Sequence, residues 1–246
     1  MMYFGGKARC AKEIAKIISA QPHDPRAAFV SLFCGSGAVE AAVTGFDKKR
    51  LSDLNRYTVA MLKEAASGRD FPDEISEAEY ERLKAEVKSG KCEDKALAGA
   101  VGFGCSFGGK FFSGYARDPS GRRKYAISTA RSLKRTGELL RGAEILRSDY
   151  RTAKIGYWDI VYCDPPYEDT SEIKGTPPFD SRTFWSWARI SSLQTLVFVS
   201  ERQAPEDFAC VWQKDIRAHA FSGNRDEKRT ERLFIYKKWL DKFVEP

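Results

Sequence analysis

Histidine is almost missing from this chain: His23 and His219 are the only two among 246 residues. The six cysteines (Cys10, Cys34, Cys92, Cys105, Cys163 and Cys210) stand apart, with no Cys-x-x-Cys pair and no histidine cluster beside them. Structural zinc needs such ligands at short spacing, and a disulfide framework belongs to small secreted chains, so neither a metal nor a set of disulfides is expected. Long apolar runs are missing as well. The opening Met1-Met2-Tyr3-Phe4-Gly5-Gly6-Lys7 has no apolar signal core, and no stretch approaches the roughly 20 residues a bilayer-spanning helix takes. The expectation is a reducing cytoplasmic setting without a membrane partner.

What is present is enough chain for one substantial core and one insertion. Lys and Arg outnumber Asp and Glu by 41 to 34, a net charge of +7, which favours a polyanionic partner. The excess is concentrated. Between Val101 and Arg141 nine basic residues face only Asp118 and Glu138, as large an excess as that of the whole chain.

Along the chain, Ala11, Ile14, Ala15 and Ile18 recur at helical spacing, and the Pro22 to Pro25 turn separates them from the apolar run Ala27 to Phe33. That run predicts a buried strand, ending in Gly35-Ser36-Gly37 before a helix-prone Ala38 to Val43. A second short strand near Arg50-Leu51-Ser52 leads into Asp53. Ser76 to Glu79 forms a capping box for a charged helix, and Glu93 to Val101 predicts another. A glycine and aromatic rich loop, Gly102 to Tyr115, precedes a basic helix from about Tyr125 to Leu140. Strands are expected again at Ala143 to Ser148 before Asp149, at Trp158 to Cys163 before Asp164, and at Thr195 to Val199. A loop with Gly175 and Pro177-Pro178 leads to a short helix holding Phe184, Trp185 and Trp187. Val211 to Ile216 and Leu233 to Trp239 are expected as a closing antiparallel pair.

The sharpest chemical signal is Asp164-Pro165-Pro166-Tyr167 after an apolar strand. An exocyclic amine is a poor nucleophile because its lone pair is delocalised into the ring. A carboxylate and a nearby backbone carbonyl can accept both amine hydrogens and draw that nitrogen toward tetrahedral geometry. Two prolines fix the backbone, and the tyrosine offers a face to a base swung out of its stack. The same four residues also suit a rigid turn closing a strand. Gly35-Ser36-Gly37 fits either a nucleotide turn or tight packing, and Asp53 and Asp149 fit either ligand acceptors at strand ends or turn caps. Phe103, Phe107, Phe111 and Phe112 are expected to divide between a small core and DNA contact.

Taken in order, these elements resemble the adenine-N6 DNA methyltransferases of the Dam type, which include many phage enzymes. The family's N-terminal aromatic, Gly-Gly-Lys element corresponds to Tyr3 to Lys7, and its Phe-x-Gly-x-Gly turn to Phe33 to Gly37. The tetrapeptide matches without substitution, and Ser200-Glu201 and Lys228 to Leu233 are similar to later elements. The resemblance implies S-adenosylmethionine as cofactor, held by Tyr3, Lys7, Phe33, Gly35, Gly37, Asp53, Asp149 and Asp164. It implies Asp164, Pro165, Pro166 and Tyr167 as the catalytic set.

The expected architecture is an α/β, Rossmann-like methyltransferase fold: a seven-stranded, mostly parallel sheet with one late antiparallel strand and a small helical target-recognition insertion. The catalytic core is placed at residues 1–67 and 142–246 and the insertion at 68–141. Double-stranded DNA is the expected partner, met by Lys110, Arg117, Arg122, Arg123, Lys124, Arg225 and Lys228, with the chain a monomer or weak dimer. The resemblance also suggests a bacterial or phage-infected cell and a place in restriction-modification. The rival expectations are methylation of RNA adenine or of a protein glutamine, and an idle DNA-binding module that keeps the cofactor fold.

Overall fold

The computed structural model describes residues 1–167, 179–217 and 228–245. In chain order the elements are α1 Ala11–Ser19, β1 Ala28–Ser31, α2 Ala38–Ala42, β2 Lys48–Asp53, α3 Arg56–Ala66, α4 Glu77–Lys88, α5 Lys95–Gly104 and α6 Tyr125–Leu139. There follow β3 Glu144–Arg147, β4 Ile160–Cys163, α7 Ser181–Ser192, β5 Leu196–Glu201, β6 Phe208–Arg217 and β7 Lys228–Tyr236. They form one seven-stranded sheet in the order β3-β2-β1-β4-β5-β7-β6. Only β7 runs against its neighbours. This is the expected Rossmann-like methyltransferase architecture, with its single late antiparallel strand.

The central strands β1, β4 and β5 are mainly apolar, as strands covered on both faces are. Phe29, Tyr162 and Phe198 face a layer containing Ile14 and Ile18 of α1 and Met61 and Leu62 of α3. Val30, Val161, Val197 and Val199 face Phe184 and Ala188 of α7. The strand order turns outward between β1 and β4, and at such a switch point the loops beyond the carboxyl ends diverge and leave a crevice. Ser31, Asp53 and Cys163 close their strands at that edge.

The segment 68–141 is helical and has a satellite core of its own, with Tyr80, Leu83, Val101, Cys105 and Phe112. It does not stand off from the sheet. Ala96, Ala100, Ala130, Leu133 and Leu140 of this segment join the main core, and α5 and α6 both pack on α3. A Cβ added at Gly99 or Gly137 would collide with the carbonyl oxygens of Tyr57 and Ala65, so these glycines permit the close approach.

Three boundaries differ from expectation. The predicted loop from Gly102 begins inside α5, because Gly102 lies under the Phe111 and Phe112 rings and Gly104 against Thr129, where larger residues would not fit. The last strand starts at Lys228 instead of Leu233: its charged first half is paired with β6, where Thr230 donates to Asp215 at 2.8 Å. Trp239 falls in a 3-10 turn, Lys237–Lys242, after the strand. Among the described residues no helix is long and apolar enough to cross a membrane.

Asn55 caps α3, its side chain accepting the Tyr57 and Thr58 N–H groups. Asn55→Ala is expected to lower the unfolding free energy by about 1 kcal/mol and the Tm by about 2–4 °C, since the chain is large; a thermal melt checks it.

Candidate active site

The crevice is built first by the turn after β1. Cys34 N–H donates to the Ser52 carbonyl at 3.0 Å, and Gly37 N–H to the Cys34 carbonyl at 2.8 Å. Gly35 and Gly37 have φ of +47° and +72°, the left-handed region glycine tolerates best. A Cβ on Gly37 would press on Leu62, Thr136 and Leu140 at 3.1–3.2 Å, and one on Gly35 on the Tyr3 ring at 3.2 Å. Asp53 ties the turn to β2 by accepting Gly35 N–H at 3.0 Å and Asn55 N–H at 2.8 Å. Burial raises its pKa, and those backbone donors oppose the rise.

The N-terminal element forms a second wall. The Tyr3 ring packs on Phe103 at 4.4 Å between centroids, and its hydroxyl meets Thr58 Oγ1 at 3.1 Å. Phe4 N–H donates to the Gly109 carbonyl at 3.0 Å, and the Lys110 ammonium lies 4.5 Å from the Phe4 ring centroid. Lys7 turns inward and is nearly sealed. Its ammonium pairs with Asp164 Oδ1 at 2.6 Å and Glu231 Oε2 at 3.4 Å.

Asp164 leaves β4 with its side chain 17% exposed. Burial pushes its pKa up to about 6, with Lys7 holding it down and Glu231 adding to the rise. The group is therefore still mainly ionised at neutral pH. Burial would lower Lys7, but Asp164 and Glu231 outweigh it and hold the ammonium above its ordinary range. The Tyr167 hydroxyl donates to Glu231 Oε2 at 2.5 Å, and Lys7 Nζ and Arg202 Cζ lie 4.6 and 5.4 Å from its ring centroid. Burial and nearby carboxylates keep that phenol protonated.

One cleft is lined by Tyr3, Lys7, Phe33, Gly35, Asp53, Asp149, Asp164, Pro165, Pro166 and Tyr167. Gly37 stands just behind it, against α3 and α6. Phe33 packs edge-on to Phe179 and Phe184. Asp149 is already engaged: both oxygens meet the Arg151 side chain, at 2.9 and 2.6 Å, and this pairing lowers its pKa. Lys110, Arg117, Arg122, Arg123 and Lys124 are all exposed. Arg117 forms an ion pair with Glu77 at 2.5 Å. Lys228 opens β7, and Arg225 lies outside the described residues, as do Gly175 and Pro177-Pro178. Phe103 and Phe112 are buried and Phe111 is partly so, whereas Phe107 is 54% exposed.

Sequence reasoning did not single out Glu231, Glu40 or Thr58. A charged β7 gives no sign of which residue faces inward, and Thr58 acts only through Tyr3. Among the described residues no cluster of His, Cys, Asp and Glu could hold a metal ion.

Comparison with known proteins decides the class. Residues 3–91 match the family model of the D12 class N6 adenine-specific DNA methyltransferases. The chain is a methyltransferase. No curated protein sequence matches it. Solved structures similar to the methyltransferase include PH1948 from Pyrococcus horikoshii, a candidate RNA methyltransferase, at 10% identity and TM-score 0.42, covering 93% of this chain and 83% of that one. A dimethyladenosine transferase from Plasmodium falciparum is 10% identical with TM-score 0.41, covering 96% and 62%. An rRNA methylase from Streptococcus thermophilus is 8% identical with TM-score 0.36, covering 93% and 96%. The matched family region spans the Tyr3 to Lys7 wall, the glycine turn and Asp53 and ends before Asp164.

The methyltransferase uses S-adenosylmethionine, and the cleft fits it. At Gly35 a side chain would fill the space between turn and Tyr3, while Asp53 stands at the end of β2, where open sheets of this kind hold a ribose.

Replacing Lys7 by Gln removes the cation that keeps Asp164 ionised. The acid limb of the rate profile, expected near pH 6 from Asp164, should move up by about 1 unit or more. Activity lost at pH 7 should partly return at pH 9, which a merely misfolded variant would not show.

Proposed function

We propose that this methyltransferase acts on the exocyclic N6 amine of an adenine flipped out of DNA. The observation that carries the reading is a half-buried, lysine-paired carboxylate heading a Pro-Pro-Tyr turn in the same cleft as the glycine turn and Asp53. The family match at residues 3–91 supports adenine in DNA as the substrate.

When bound, the cofactor supplies an electrophilic methyl group. Tyr3, Lys7, Phe33, the Gly35 to Gly37 turn, Asp53 and Asp149 are the residues proposed to hold it. Asp164 accepts one hydrogen of the target amine and the Pro165 carbonyl accepts the other, which draws the nitrogen lone pair out of conjugation. Electrostatic placement of this kind dominates when the acceptor is fixed before substrate arrives. Here the fixing comes from Lys7 on the carboxylate and from two prolines that leave the turn little freedom. Tyr167, anchored through its hydroxyl to Glu231, presents its ring to the base. Ionised Asp164 is required, so the rate should fall about tenfold per unit below pH 6.

The exposed loop carrying Lys110, Arg117, Arg122, Arg123 and Lys124 begins where Gly109 touches the Phe4 backbone, beside the cleft. We assign it to phosphate contact, with residues 68–141 as the target-recognition insertion built onto a core of 1–67 and 142–246.

Labelled methyl transfer to unmodified duplex DNA, with nucleoside analysis of the product, tests the proposal. N6-methyladenine is expected. Transfer only to RNA or protein offered in competition would contradict it. Asp164→Ala should reduce turnover by about 100- to 1,000-fold or more while S-adenosylhomocysteine still binds. Changing Arg122, Arg123 and Lys124 together to Ala should weaken DNA binding and flatten its log-log salt dependence by about 2–3 units, measured by fluorescence anisotropy.

A further inference from the structure

Glu231 belongs neither to the glycine turn nor to the tetrapeptide, yet it touches two of the groups on which the proposed transfer depends. It stands on β7, the strand that runs against both its neighbours, and its side chain is 15% exposed. The residue opposite it on β6 is Lys214, the cation a strand carboxylate would ordinarily meet. Lys214 pairs instead with Glu13 of α1. Glu231 Oε2 accepts the Tyr167 hydroxyl at 2.5 Å and lies 3.4 Å from the Lys7 ammonium, which is itself 2.6 Å from Asp164 Oδ1. Ring, cation and acid are joined through a single oxygen.

Each contact removes a freedom that the transfer step cannot tolerate. The prolines before Tyr167 restrain its backbone but not the two side-chain bonds about which its ring turns. A charge-assisted bond to the hydroxyl fixes the ring. An ammonium has three donors on a long flexible stem, and held by Asp164 alone it could swing about that oxygen. A second carboxylate, on a different strand, sets its direction. We propose that Glu231 is a positioning residue for methyl transfer: it ties the ring that receives the base to the lysine that keeps Asp164 charged, so that both are set before the base arrives. Glu231 acts through Tyr167 and Lys7 and not on the reacting atoms. This inference rests on the assignment of Asp164 as acceptor of the target amine.

The carboxylate also leaves an electrostatic mark. Burial raises the Asp164 pKa to about 6 against the opposition of Lys7, and the negative charges of Glu231 and of Asp53 on β2 add to the rise. Glu40 on α2, Glu201 on β5, the phenols of Tyr3, Tyr162 and Tyr167 and the thiols of Cys10 and Cys163 also interact with Asp164. All of them are retained when Glu231 alone is replaced. Removing the Glu231 charge therefore lowers the Asp164 pKa, the opposite of removing Lys7.

Glu231→Gln, Tyr167→Phe and the double variant test the proposal, with kcat measured against pH and S-adenosylhomocysteine binding followed by calorimetry. Glu231→Gln should lower kcat by about tenfold or more while the ligand still binds, and its acid limb should move down from near pH 6 by about half a unit or more. Tyr167→Phe should also lower kcat, with the limb in place. The double variant should be within about twofold of Glu231→Gln, because both changes break the same bond. An acid limb that stays or rises in Glu231→Gln, wild-type kcat in either single variant, or losses that multiply in the double variant would overturn the proposal. Should Glu231→Gln melt far below the wild type, Tyr167→Phe decides: a lowered kcat with S-adenosylhomocysteine still bound supports it, and wild-type kcat overturns it. If the wild type transfers only to RNA or protein, the DNA reading falls while the same variants decide this one on that substrate; transfer to none of the three overturns both.

Discussion

A carboxylate can accept an amine hydrogen strongly only if it stays charged where water is scarce, and the Lys7–Asp164 ion pair meets that demand. Burial pushes the Asp164 pKa up, and the ammonium 2.6 Å away opposes the rise. The arrangement around the pair follows from this constraint. Glu231, reaching across from the antiparallel β7, meets both Lys7 and the Tyr167 hydroxyl, so one carboxylate sets the position of the cation and of the aromatic ring. Removing a single partner would leave the others buried without compensation, which is more disruptive than losing the pair's modest net energy.

The N-terminal element owes its position to parts of the chain far away. Tyr3 is held by Phe103 of α5 and by Thr58 of α3, and Phe4 by the backbone of Gly109. The wall that carries Lys7 thus leans on the helical segment whose loop bears the exposed basic residues. The N-terminal wall and the exposed basic loop share contacts through one short strip of backbone, so disturbance on one side reaches the other.

The central parallel strands β1, β4 and β5 were legible because each is a short apolar run followed by a polar residue, and the sheet places Asp53, Asp149 and Asp164 beside the crevice they suggested. The closing antiparallel pair was legible as well, though its extent was not: the charged half of β7 becomes strand only through pairing with β6. Glu231 was invisible as an individual for the same reason. Its inward role comes from β7 inserting between β5 and β6, which no local pattern reveals. Asp149 shows the converse. Its position at a strand end was readable, but the clasp of Arg151 on both its oxygens was not. The phenylalanines of the predicted loop divided by packing: Phe103 and Phe112 entered the core once α5 extended to Gly104, and Phe107 stayed outside.

The ionisation of Asp164 can be observed directly by carbon NMR of the protein labelled at the aspartate carboxyl carbon, with Asp164→Asn locating its signal. The account predicts a titration near pH 6 and a charged carboxylate at pH 7.5. A carboxyl that is still protonated at pH 7.5, or one that titrates near 4 as in a freely solvated aspartate, would contradict it.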